Sequence, residues 1–220
     1  MTLTYEIRPI RAEEWLPDRC MALPEPLDTR ALAPQHGCPG LLFGGQHIRN
    51  RGEFEKFHLD VLTRFSCCGF MAWEKGKVLG YITFFPHEIA RRIRFFGWGC
   101  TEENLAGTLV HQCISLVRNA RYRRRGIGSA LVQHALEWGK ANNWKRYAVH
   151  RVLPESDKGI TAEQKSALPF WSKFGFRVTR EEEADAETRK AYGVESRYSL
   201  ALELADYSEG EQQCKHSLMP

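Results

Sequence analysis

The chain has 220 residues, 43% hydrophobic and 26% charged. That balance is globular and excludes collagen-like, low-complexity and wholly disordered readings. Its formal net charge of +4 is the remainder of two opposed blocks: residues 181–220 hold ten acids against four bases, a net −6, so residues 1–180 carry +10.

At this length a single domain buries roughly 70% of its unfolded surface and needs neither disulfide nor metal to fold. Five arginines, Arg118, Arg121, Arg123, Arg124 and Arg125, stand within eight residues. Such a focus predicts phosphate partners, in nucleic acid or in a small molecule. The N-terminus lacks an apolar leader, and no apolar run approaches the ~20 residues of a membrane span. The expected location is cytoplasmic, with no membrane partner. Seven cysteines without a C-x-x-C read as reduced thiols. Cys20, His36, Cys38, Cys67 and Cys68 match no standard zinc spacing, so no metal is expected.

In chain order, Leu3–Ile10 alternates as a first strand. Ala12–Cys20 has a short helical pattern. Residues 24–46, rich in proline and glycine, read as a loop. Gly52–Phe65 places Phe54, Phe57, Leu62 and Phe65 at helical spacing. Gly69–Trp73 and Val78–Phe85 form a hairpin around Glu74-Lys75-Gly76-Lys77. Residues 86–106 read as a loop or short helix, with Phe95, Phe96 and Trp98 as core or lid. Thr108–Val117 is a central strand. Ser129–Asn142 is an amphipathic helix, Arg146–Val152 a strand, and Thr161–Phe174 a helix that Gly175 ends. Phe176–Val178 and Arg197–Leu204 are strands, and 205–220 a flexible tail. One α/β domain over 1–204 accounts for the pattern.

The informative segment joins the strand Thr108–Val117 to the helix Ser129–Asn142 through Arg123-Arg124-Arg125-Gly126-Ile127-Gly128. A helix start offers unpaired N–H groups and partial positive charge, and glycines let them converge on one anion. The P-loop pattern is missing, and so is the third glycine of the dinucleotide fingerprint, since residue 131 is Leu. The segment resembles the acetyl-CoA loop of the GCN5-related N-acetyltransferase (GNAT) superfamily, Gln/Arg-x-x-Gly-x-Gly/Ala. The later phrase Lys173-Phe174-Gly175-Phe176 and the hairpin 69–85 fit the same family, so the resemblance spans roughly residues 3–204.

The resemblance implies a mixed sheet of about six to seven strands flanked by helices. It implies acetyl-CoA as cosubstrate and direct attack of a primary amine on the thioester. Backbone at Leu116 and Val117 would pair with the pantetheine arm. Backbone N–H groups of Arg124, Arg125, Gly126, Ile127, Gly128 and Ser129 would hold the pyrophosphate. Arg123 would order the loop, and Arg118 or Arg121 would reach the 3′-phosphate. Trp171 stands in the slot where the family often keeps a tyrosine acid, and indole supplies no proton. The strand 146–152 also lacks the asparagine that often contacts pantetheine.

For the general base, Glu102, Glu103, His111, Cys113 and His87 are candidates, with His111 and Glu102 foremost. Strict alternation puts His111, Cys113 and Ser115 on one strand face. If that face lines the cleft, His111 is the base; otherwise it is a satisfied sheet histidine. An oxyanion donor is expected on a bulged central strand near Leu116. Residues 17–66 and 86–106 are the expected acceptor-side elaborations. The competing function is a GNAT-fold acyl-CoA sensor without turnover. Nucleic acid is not an expected partner, because helix-turn-helix and RNP patterns are missing. A homodimer is compatible with the sequence.

Overall fold

The computed structural model describes residues 5–11, 42–43, 46–47, 51–90, 105–117, 122, 125–154 and 167–207. In chain order the elements are β1 (Glu6–Pro9), β2 (Leu42–Phe43), β3 (Gln46–His47), α1 (Arg51–Phe65), β4 (Gly69–Glu74), β5 (Lys77–Pro86) and α2 (His87–Ala90). They continue as β6 (Thr108–Leu116), α3 (Ile127–Ala141), β7 (Arg146–Val152), α4 (Ala167–Ser172), β8 (Arg177–Glu183), α5 (Ala186–Tyr192) and β9 (Ser196–Glu203). Seven strands form one sheet in the order β1-β4-β5-β6-β7-β9-β8, as expected for the fold. Only β6 and β7 run parallel in this sheet; every other pair is antiparallel.

The hairpin turn follows from its glycine. Lys75 (φ 50) and Gly76 (φ 78) are both left-handed, the geometry a two-residue turn needs to match strand twist. Every residue of β5 from Val78 to Pro86 is buried, as a strand covered on both faces must be. Helix α3 lies across this centre. Its Leu131, Val132, Ala135, Leu136 and Gly139 are buried at the spacing of one helix face. Packed beneath is an aromatic layer: Phe84 lies 5.4 Å from Trp138 and 5.8 Å from Tyr147, centroid to centroid.

The structure corrects the sequence reading at the margins. Leu42–Phe43 and Gln46–His47 pair as a two-stranded hairpin across the end of the stretch expected to be loop, residues 24–46. β8 runs on to Glu183, and α5 has no counterpart among the expected elements. Asp185 caps α5 by accepting from the Thr188 N–H at 2.8 Å, and Gly193 (φ 66) ends it. Part of the acidic block is answered here. Arg197 binds Glu182 at 3.0 Å and Asp185 at 3.1 Å, and Arg189 pairs with Glu183.

α3 starts at Ile127, two residues earlier than expected. The predicted helix 12–20 and the N-cap Thr161 lie outside the described residues. So do residues 91–104, with Phe95, Phe96 and Trp98, and residues 208–220. Tyr207 is buried, and Lys140 Nζ donates to its carbonyl at 2.6 Å, so the chain stays packed beyond residue 204.

Candidate active site

The sheet opens where the chemistry is expected. β6 and β7 pair only at Thr108↔Arg146, Leu109↔Tyr147 and Val110↔Ala148. Beyond Val110 they part, while β6 stays on β5 through Leu116, and the Val117 N–H still donates to the Leu79 carbonyl at 2.9 Å. Among the described residues, one edge of β6, from His111 to Val117, is therefore left without a strand partner on the β7 side. Unpaired strand edges take extended ligands as an added strand. Leu116 and Val117 lie on this edge.

A bulge divides β6. Thr83 pairs with Cys113 and Phe84 with His111, so Gln112 is the extra residue. Its effect shows under α3. A methyl on Gly139 would lie 3.1 Å from Leu109 Cδ1, and a methyl on Gly128 2.9 Å from Leu116 Cδ1. Leu109 and Leu116 are seven apart, yet both face α3, which strict alternation forbids. The bulge lies at Gln112, four residues before the Leu116 region where the resemblance puts it.

His111 therefore does not share a face with Cys113 and Ser115. It points under α3 and α4, its ring 4.8 Å from Trp171 and 6.3 Å from Tyr147, and its Nδ1 lies 3.5 Å from the Tyr147 hydroxyl. Burial, with a smaller contribution from His150, pushes its pKa down to about 3. An imidazole so placed stays neutral and does not suit a proton acceptor at neutral pH. Trp171 belongs to the same layer: it is buried against His111, Phe170 and Phe176.

On the opposite face lie Thr83, Cys113 and Ser115. Cys113 Sγ and Ser115 Oγ are 3.4 Å apart, and the buried Thr83 Oγ1 has no hydrogen-bond partner among the described residues. His150 lies where β7 slips against β9, between Val149 and Val152, beside a left-handed Arg151 (φ 57). It is half-buried, and its Nδ1 is 3.0 Å from Ser199 Oγ. Periodicity could not mark it, because an isolated histidine in a strand has no distinguishing pattern.

The helix start completes the arrangement. Gly126 caps α3 in the left-handed region (φ 75, ψ 7), with no side-chain cap bond and open space where a Cβ would sit. The cap residue thus gives the first N–H groups of the helix no side-chain partner, and such a helix start suits an anion. Gly128 is glycine for a different reason: its approach to Leu116 leaves no room for a methyl. These features fit the pyrophosphate of a coenzyme A thioester.

Arg125 is turned to other work. Its Nη2 is 2.7 Å from Glu74 Oε1, and its guanidinium lies over Tyr5 (5.7 Å) and Tyr122 (5.6 Å). Ser129 Oγ accepts from Lys173 Nζ at 2.7 Å. Arg118, Arg121, Arg123, Arg124, Glu102 and Glu103 lie outside the described residues. His87 is held in α2, in the chain after β5. Among the described residues no group of three His, Cys, Asp or Glu could hold a metal, and no helix is long and apolar enough to cross a membrane.

The acetyltransferase (GNAT) family matches residues 39–176, well over half of the chain. An N-acetyltransferase from Staphylococcus aureus Mu50 is similar over 91% of this chain and 98% of its own, at 18% identity and a TM-score of 0.51. An acetyltransferase of the GNAT family from Streptococcus pneumoniae covers 72% of this chain and 80% of its own, at 19% identity and a TM-score of 0.49. At such identities the likeness is one of fold. The comparison with curated proteins gives no match. A seven-stranded mixed sheet, opened beside a glycine-capped helix, places the chain in the class of acetyl-transferring folds. The chain belongs to the GNAT acetyltransferase family, whose members use acetyl-CoA.

Proposed function

We propose that this protein is an N-acetyltransferase that moves the acetyl group of acetyl-CoA to a primary amine by direct attack. The observation that carries the reading is the adjacency of two hydrogen-bonding edges: the open side of β6 from His111 to Val117, and the start of α3 at Gly126, which no side chain caps. Together they suit a ligand with an extended amide arm and a pyrophosphate.

When bound, acetyl-CoA supplies an electrophilic carbonyl and a thiolate leaving group. The chain's own parts divide the remaining work. Leu116 and Val117 offer backbone groups to the arm. Gly126, Ile127, Gly128 and Ser129 offer backbone groups and helix polarity to the phosphates. The bulged backbone at Gln112 presents groups that no strand ladder consumes, as an oxyanion donor requires.

Amine attack forms the C–N bond, breaks the C–S bond and leaves one proton to remove from nitrogen. His150 is the base in this reading. Ser199 orients its ring, and a base oriented by a second group is the usual arrangement for proton transfer. That proton returns to the thiolate, which completes the balance.

The test is release of free thiol from acetyl-CoA in the presence of an amine panel. Turnover on any amine supports the reading. Binding of acetyl-CoA without turnover across the panel favours the sensor alternative, which the buried Trp171 in the acid slot keeps in view.

A further inference from the structure

Lys173 has no part in the reaction described above, although its phrase marks the end of α4. Its ammonium donates to Ser129 Oγ at 2.7 Å. Ser129 is the third residue of α3 after the Gly126 cap, so Lys173 holds a positive charge against the positive end of a helix dipole. By itself that placement is unfavourable.

The ammonium's hydrogen-bond and ring neighbours among the described residues are uncharged. Lys173 Nζ sits 4.4 Å from the Phe170 ring centroid and 4.8 Å from that of Phe174. Ring faces attract a cation but do not neutralise it. Partial burial pushes its pKa below the usual lysine range. Among the described residues, no carboxylate forms an ion pair with it.

Arg125, on the same loop, has the opposite standing, because Glu74 already answers its charge. One cation of the cradle is spent on fixing the turn. Among the described residues, Lys173 is held by a neutral hydroxyl and two rings, beside a helix start whose cap residue has no side chain. An exposed ammonium and the polarity of a helix start at one point suit an anion with several acceptor oxygens.

We propose that Lys173 is a phosphate ligand, donating together with Ser129 to the pyrophosphate of the coenzyme A moiety, while Arg125 is a positioning residue for the loop. The inference rests on the acetyl-CoA reading and adds a binding residue to it. It explains the lysine of the Lys173-Phe174-Gly175-Phe176 phrase, since α4 closes over the start of α3 and carries the charge that the glycine turn lacks.

The test is calorimetric titration of the full chain with CoA and with 3′-dephospho-CoA, for wild type, Lys173→Met and Lys173→Arg. Methionine keeps the apolar stem over Phe170 and Phe174, and thermal unfolding checks that each variant is folded. Lys173→Met should weaken both ligands about tenfold, and Lys173→Arg should restore most of the loss. The salt dependence of binding should also flatten in Lys173→Met. Equal affinity of wild type and Lys173→Met overturns the proposal. So does a loss confined to CoA, which would move the contact to the 3′-phosphate. If wild type binds neither ligand at millimolar concentration, the acetyl-CoA reading itself falls, before Lys173 is reached.

Discussion

Arg125 and Glu74 stand 51 residues apart in sequence and meet at 2.7 Å, joining the tip of the β4–β5 hairpin to the turn that starts α3. Both side chains are largely shielded, at 23% and 14% exposure. The contact ties the cradle to the rigid centre of the sheet. Glu74→Gln should cost about 1 kcal/mol of stability and weaken CoA binding several-fold. Denaturant titration and calorimetry measure the two effects. Unchanged binding would show that the turn holds its shape without the pair.

The two glycines of the cradle should fail differently. Gly126→Ala puts a side chain at φ 75 and should cost about 1–2 kcal/mol, although there is room for the methyl. Gly128→Ala has an ordinary helical backbone but sets a methyl 2.9 Å from Leu116 Cδ1. Gly128→Ala combined with Leu116→Ala should therefore cost less than the two single changes summed, whereas no partner change should rescue Gly126→Ala. Melting curves of these variants check this.

His111 predicts an acid-sensitive fold. It stays neutral in the folded protein until about pH 3, whereas the unfolded chain takes a proton near 6.5. The unfolded state thus binds more protons between those values. Stability is whole above about pH 6.5 and falls as pH drops through the window. His111→Phe should flatten this slope in denaturant midpoints measured between pH 7 and pH 4. An unchanged slope would mean that another group governs acid loss.

If His150 takes the amine proton, His150→Gln should lower kcat about a hundredfold with little change in CoA affinity. The acidic limb of the pH–rate profile should vanish in the variant. A loss of affinity with kcat intact would assign His150 to binding instead.

Cys67 should resist thiol reagents in the folded state. It is buried, donates to the Gly69 carbonyl at 3.3 Å, and burial raises its pKa to about 11. Ellman titration of native protein, followed by mass mapping, should leave Cys67, Cys68 and Cys113 unlabelled until denaturant is added.

Much of this structure is legible in the sequence because its central elements carry strong periodic signals. Leu131, Val132, Ala135 and Leu136 announce α3, and the apolar run of β5 with Gly76 announces the hairpin. The continuation of β8 past Val178 is hidden because an edge strand with an exposed Arg-Glu-rich face has no hydrophobic alternation to read. α5, at seven residues, is too short for its period to rise above its polar composition. At the site, Gly126 and Gly128 are visible as a motif, since glycine has few other reasons to repeat at that spacing. His150 and the true facing of His111 are not visible, because both depend on where β6 slips and where β7 departs.

That slip has a consequence for how variants of β6 must be read. Before Gln112, odd-numbered side chains such as Leu109 and His111 lie on the α3 side of the sheet; after it, even-numbered ones such as Leu116 do. The strand is thus written in two reading frames with one residue between them. Deleting Gln112 would leave its composition almost untouched, yet carry the buried Cys113 and Ser115 to the α3 side and Leu116 to the other face. A single missing codon would thus exchange the two faces of the strand's second half.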